Sequence, residues 1–119
     1  MYRAKGFLDQ GVEMAGSTDA PVVAADPILN IAALVNRTTA KGRDFVPEER
    51  ITVEQAVRAY TVGSAKAVHQ ENDKGSLAHG KLADFTVLSE DIFTVAPEAI
   101  EEVSVTATVV GGRVMAGGF

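Results

Sequence analysis

The chain contains no cysteine and no tryptophan. The first absence excludes disulfides, thiolate metal sites and cysteine nucleophiles, and it fits a reducing compartment. Aromatic residues make up only 6 %, so the hydrophobic fraction of 46 % is mostly Ala, Val, Ile and Leu. No apolar run approaches the ~18 residues of a membrane span. Met1–Gln10 carries Arg3, Lys5 and Asp9 and has no long apolar stretch, so it does not read as a signal peptide. The cytoplasm is the expected location. Basic residues are outnumbered by acidic ones, 11 against 16, for a net charge of −5 and a pI near 4.9. Without a basic patch the chain is a poor candidate for binding nucleic acid or an anionic membrane.

Its 119 residues suffice for one domain with one core of moderate size. Local signals divide that length. Tyr2–Gln10 reads as the end of a helix with Phe7 and Leu8 inward and Gly11 at the stop position. Val12–Ser17 is a short strand candidate, broken by Thr18-Asp19-Ala20-Pro21. Asp26-Pro27 opens a helix: Asp26 can cap and Pro27 suits the first helical position. Ile28, Leu29, Ile31, Ala32, Leu34 and Val35 recur at helical spacing, which predicts a helix to about Lys41, before Gly42. Thr52-Val53-Glu54-Gln55 matches a capping box and predicts a helix from Val53 to about Val68. Ala56, Val57, Ala59 and Tyr60 form its apolar stripe, and the small residues after Gly63 suit close packing.

From about Asn72 the character changes. Gly75-Ser76-Leu77 reads as a turn, Gly80-Lys81 as a bridge, Asp84–Leu88 as a buried strand, and Pro97–Glu102 as one helical turn. Val103–Val110 is rich in Val and Thr and should return through Gly111-Gly112 into Arg113–Ala116 as a hairpin. Residues 1–71 thus look like strand-and-helix units, and residues 72–119 like a small β segment. The fold class expected is α/β to α+β.

Asp19 is the sharpest candidate for chemistry. It stands where an apolar segment ends, the place where α/β barrels put catalytic groups. A carboxylate there can hold a divalent metal or take a proton from an attacking water. Local sequence alone favours a turn or capping role, since Asp commonly occupies turns. His69 and His79, the only histidines, lie in no HxH or HExxH arrangement and read as solvated surface residues. Asp84 reads as a turn carboxylate bonding backbone N–H groups before a strand. Glu98, Glu101 and Glu102 read as a solvated helical face. Gly111-Gly112 is a turn and not a phosphate loop, because no helix follows it.

Gly16-Ser17-Thr18-Asp19-Ala20-Pro21-Val22 resembles the end of the eighth barrel strand in metal-dependent amidohydrolases. The nearest branch is similar to large bacterial amidohydrolase-family proteins, some of which are named exoenzyme regulatory protein. The likeness continues through Asp26-Pro27-Ile28-Leu29, the stretch from Val46 to Ala56, Ala59-Tyr60-Thr61 and Lys74-Gly75-Ser76-Leu77. It ends on Gly80–Leu88 and Val109–Val114, the most specific blocks. Ser17 stands where the family commonly has Gly, and Gly16 replaces a larger residue.

The resemblance implies the last strand and helices of a (β/α)8 amidohydrolase barrel, followed by the C-terminal part of a small β-sandwich. It makes Asp19 both a metal ligand and the general base, in a parent enzyme that uses a divalent metal such as zinc on C–N bonds of a small-molecule substrate. The family's HxH, its mid-barrel carboxylate or modified lysine and its two later histidines are missing here. The chain alone is therefore expected to be inactive, to hold no tightly bound metal at Asp19, and to need the remainder of the barrel as partner. Without it, strand edges and the helix face of Ile28, Ile31 and Leu34 should be exposed and drive self-association. The alternative is a non-catalytic interaction or regulatory module derived from an amidohydrolase.

Overall fold

A computed structural model of the chain describes residues 3–119. Helix α1 spans Ala4–Asp9; Tyr2, the expected start, lies outside the described residues. Ala4 and Leu8 face the core, whereas Phe7 is 53 % exposed, contrary to expectation. The helix closes as expected, with Gly11 at a φ of 75° and its N–H bonded to the Leu8 carbonyl.

Helix α2, Pro27–Asn36, begins as its sequence dictates. The Asp26 carboxylate accepts from the N–H groups of Ile28 at 2.9 Å and Leu29 at 3.4 Å, and Pro27 occupies the first turn. It ends earlier than the expected Lys41. Arg37 turns left-handed at φ 52°, and the chain folds back through a bridge between Thr38 and Asp44. The Phe45 N–H bonds the Arg37 carbonyl at 2.7 Å, so the backbone groups that would extend the helix are used by the loop. Arg37 itself is buried, with its guanidinium over the Phe45 ring.

A 3₁₀ turn, Pro47–Glu49, leads to helix α3, Val53–Arg58, whose capping box forms in full. Thr52 Oγ1 accepts from the Gln55 N–H at 3.1 Å, and Gln55 Oε1 from the Thr52 N–H at 2.9 Å. The helical path runs on as a π turn, Ala59–Gly63, and helix α4, Ser64–Ala67. That agrees with the expected extent to about Val68, apart from the π turn.

Lys81 organises the turns that follow. Its ammonium reaches the Glu71 carbonyl at 2.6 Å and the Ser76 hydroxyl at 2.9 Å. Strands β1 (Phe85–Leu88), β2 (Val105–Val110) and β3 (Arg113–Gly117) form an antiparallel sheet in the order β1-β2-β3. The β2–β3 hairpin is the expected one, with Val110 opposite Arg113 and positive φ at both Gly111 and Gly112. Pro97–Glu102 forms the expected turn, as a 3₁₀ helix. The outer edges of β1 and β3 have no strand partner among the described residues.

Two expectations are corrected. Val12–Ser17 is not a strand: no ladder forms over it, because a strand needs flanking strands to bond its backbone and none of the three present lies beside it. It is bonded to the α3–α4 helical path instead. The α2 face is also not bare. Ile28 and Ile31 are 8 % and 5 % exposed, and Leu34 packs against the same cluster. Ile92, Ile100 and Val103 cover that face and share one core with Ala4, Ala32, Val35, Ile51 and Ala56. The Asn36 amide fastens this cover by donating to the Pro97 carbonyl at 2.8 Å.

Glu49 ties α1 to the 3₁₀ turn. Its buried carboxylate accepts from the Gly6 N–H at 2.9 Å and from Arg3 Nε at 3.3 Å. The Gly6 N–H, assisted by Arg3, holds its pKa below the ordinary 4.5 against the opposing effect of burial. A carboxyl group with a lowered folded-state pKa stabilises the fold fully above its ordinary value, and that contribution is lost as pH falls through the folded value. Acid titration of the chain should therefore show stability falling below pH 4.5, with a shallower fall in Glu49→Gln. Chemical denaturation at several pH values checks this; identical acid limbs would show that Glu49 contributes nothing through its charge.

Candidate functional site

The segment before Asp19 lies flat on the α3–α4 path. At its start the Glu13 carboxylate pairs with Lys66 and, at 3.7 Å, with Arg58. The Lys66 bond is the main cause of a lowered Glu13 pKa, with Arg58 adding to it. Further along, the Gly16 N–H donates to the Ala59 carbonyl at 2.8 Å, and the Tyr60 hydroxyl donates to the Ser17 carbonyl at 2.9 Å. The Ser64 hydroxyl lies within bonding distance of both Ala59 and Gly16 carbonyls, at 3.0 and 3.3 Å. Glycine is required on both sides of this contact. A Cβ on Gly16 would overlap the Tyr60 ring, and one on Gly63 would overlap the Met14 carbonyl oxygen.

Asp19 follows directly. Its backbone is left-handed, at φ 56°, and its N–H reaches Ser17 Oγ at 3.3 Å. Its carbonyl accepts from the Val22 N–H at 3.0 Å, closing a turn over Ala20-Pro21. The residue is exposed, and its carboxylate has no hydrogen-bond or ion-pair partner among the described residues. Geometrically Asp19 is thus a turn residue whose side chain remains available. Turn backbone and available carboxylate coexist, so neither reading of the sequence excludes the other.

The remaining candidates fall where the sequence put them. His69, exposed at φ 57°, closes α4, with its N–H on the Lys66 carbonyl. His79 is exposed in the turn before Lys81. Asp84 Oδ1 accepts from the Gly111 N–H at 2.7 Å, and the Gly112 N–H bonds the Ala83 carbonyl at 3.0 Å. Asp84 therefore locks the hairpin turn to the entry of β1. Asp84→Ala should cost about 0.5–1.5 kcal/mol by removing that exposed bond, which water can replace only in part. Unfolding and turnover measured together check this; a variant of normal stability that lost turnover would reassign Asp84.

No group of three or more His, Cys, Asp or Glu side chains able to share a metal exists among the described residues. A catalytic zinc takes about three protein ligands, and no such set forms around Asp19 among the described residues. A cleft of about 450 Å³ lies elsewhere, between the end of α2 and the Pro97–Glu102 turn, lined by Asn36, Asp44, Arg50 and Glu98 among others. It is a surface groove crossed by structural bonds, such as Arg50 to the Asn36 carbonyl at 2.8 Å and to Asp44 at 2.8 Å. Among the described residues no helix is long and apolar enough to cross a membrane.

The role of Tyr60 is the feature that the sequence did not disclose. It reads there as one apolar position of a helical stripe. The small residues from Gly63 onward were the available signal of a close approach, but nothing local identified the approaching segment.

The model of the amidohydrolase family matches residues 1–116, and the chain belongs to that family. A Bacillus subtilis protein named as an amidohydrolase, YtcJ, is 34 % identical over 114 residues, covering 93 % of this chain and 22 % of its own length. The N-substituted formamide deformylase of Arthrobacter pascens is 30 % identical, over 94 % of this chain and 21 % of its own. Protein LONG AFTER FAR-RED 3 of Arabidopsis thaliana is 34 % identical, over 94 % and 19 % respectively. The chain therefore spans about a fifth of the length of these relatives. No solved structure is significantly similar to it.

Proposed function

We propose that the chain is the C-terminal part of a longer metal-dependent amidohydrolase that hydrolyses non-peptide C–N bonds of the amide type. In this reading residues 1–71 supply the last helices of a (β/α)8 barrel, with Val12–Ser17 free to pair as a strand only beside barrel strands from outside this chain, residues 72–119 contribute to a small β-sandwich, and Asp19 belongs to the active site. The observation that carries the reading is the pairing of near-complete family coverage of this chain with its small share of each relative. An available carboxylate in a turn seated on a helix supports the choice of Asp19. A relative named as a deformylase of N-substituted formamides supports the bond type.

When bound, a divalent metal such as zinc supplies Lewis-acid activation of water and of the scissile carbonyl. The Asp19 carboxylate would be one of the groups holding that metal and would serve as general base toward the attacking water. The other ligands come from the remainder of the barrel, which is the partner this chain requires, and the substrate is a small molecule. The chain alone is inactive and self-associates through its open sheet edges. The cytoplasm is the compartment that fits a cysteine-free, acidic chain. The test is turnover of an N-substituted formamide by the full-length protein and its Asp19→Asn variant, with loss in the variant as the expected result.

A further inference from the structure

We propose that Tyr60 is a positioning residue for Asp19: its hydroxyl, held on the Ser17 carbonyl from within the π turn of the α3–α4 path, sets the turn that aims the Asp19 carboxylate. This rests on the reading of Asp19 as an active-site group.

The path would be an unbroken α-helix but for Ala59–Gly63. A π turn widens the spacing between carbonyl and amide by one residue, and such turns cluster at functional sites. Here the Ala59 carbonyl accepts from the Gly16 N–H at 2.8 Å, so a helix carbonyl is spent on the segment leading to Asp19. One residue on, the Tyr60 ring lies against Gly16 and its hydroxyl donates to the Ser17 carbonyl at 2.9 Å. Ser17 then continues the linkage, because its Oγ accepts from the Asp19 N–H at 3.3 Å. Burial raises the Tyr60 pKa, so the phenol stays protonated and remains a donor across the ordinary pH range. Asp19 itself has no side-chain bond among the described residues to fix it. Its orientation is inherited from the backbone of Ser17-Thr18, and Tyr60 is the side chain that pins that backbone.

The experiment measures zinc affinity of the full-length protein by chelator competition, for the wild type, Tyr60→Phe, Asp19→Asn and the double variant. Tyr60→Phe keeps the ring against Gly16 and removes only the hydroxyl. It is expected to weaken zinc binding by about tenfold, the usual effect of a group that orients a ligand. The double variant should bind zinc no more weakly than Asp19→Asn alone, because Tyr60 acts through Asp19. Ser17→Ala, an exposed change that removes the acceptor of the Asp19 N–H, should weaken zinc in the same direction. Thr61→Ala removes a neighbouring hydroxyl that bonds only the Val57 carbonyl and should leave zinc affinity unchanged. Weakening in Asp19→Asn with none in Tyr60→Phe overturns the positioning role and leaves the reading of Asp19 intact. Effects that add in the double variant overturn it as well. Unchanged affinity in Asp19→Asn overturns the reading of Asp19 as a ligand, and the inference with it.

Discussion

Asp19→Asn in the full-length protein is expected to lower kcat for C–N hydrolysis by about 10²–10⁴, the range a general base contributes. Folding should be unaffected. Asp19 is exposed and left-handed at φ 56°, and Asn is among the few residues that adopt this conformation readily. The substitution keeps the shape of the side chain and removes only its charge and basicity. Asp19→Ala would confuse the two readings, since alanine adds backbone strain at a positive φ. Steady-state turnover and thermal melting of the Asn variant separate them. Near-normal kcat with normal melting would leave Asp19 as a turn residue and nothing more.

Ile100→Ala should destabilise the fold by about 2–5 kcal/mol, the range for truncating an enclosed Ile or Leu. Ile100 is 0 % exposed and is the largest fully buried side chain of the described residues. It lies in the Pro97–Glu102 turn that packs on α2, where it shares a cluster with Ile28, Ile31 and Val35. Its truncation opens a void in the cluster that α2 and the turn share. Leu29 provides the contrast on the same helix: it is 45 % exposed, and Leu29→Ala should change stability by no more than about 0.5 kcal/mol. Urea unfolding should show a lower midpoint for Ile100→Ala at unchanged slope. A cost below about 1 kcal/mol would mean that residues 92–103 do not share the core of the helices.

Features written in a few adjacent residues were legible in the sequence. Asp26-Pro27, the Thr52–Gln55 box and Gly111-Gly112 each carry their own chemistry, a cap, a reciprocal bond and a positive φ, and each formed where expected. Asp84 belongs with them, since a carboxylate ahead of a strand had a backbone N–H to find. What failed depended on distant partners. Val12–Ser17 has a strand's apolar run, but a run does not state whether flanking strands exist, and this one is bonded to a helix. The α2 face was expected bare because its cover lies some seventy residues away in sequence and follows no local pattern. The early end of α2 arises from a left-handed Arg37, a conformation that no propensity favours for arginine. For the candidate site, the sequence singled out Asp19 as a candidate but not the helix its turn rests on, because Tyr60 has the same helical spacing whether it faces a core or a turn.

The most direct test of the account is the position of the metal. Crystals of the full-length protein loaded with zinc, measured at the zinc absorption edge, locate the ion by its anomalous scattering. The account predicts a carboxylate oxygen of Asp19 at about 2.0–2.2 Å from the zinc, with the other ligands drawn from outside this chain. A zinc fully coordinated by other residues, with the Asp19 carboxylate turned to solvent beyond bonding distance, would contradict it.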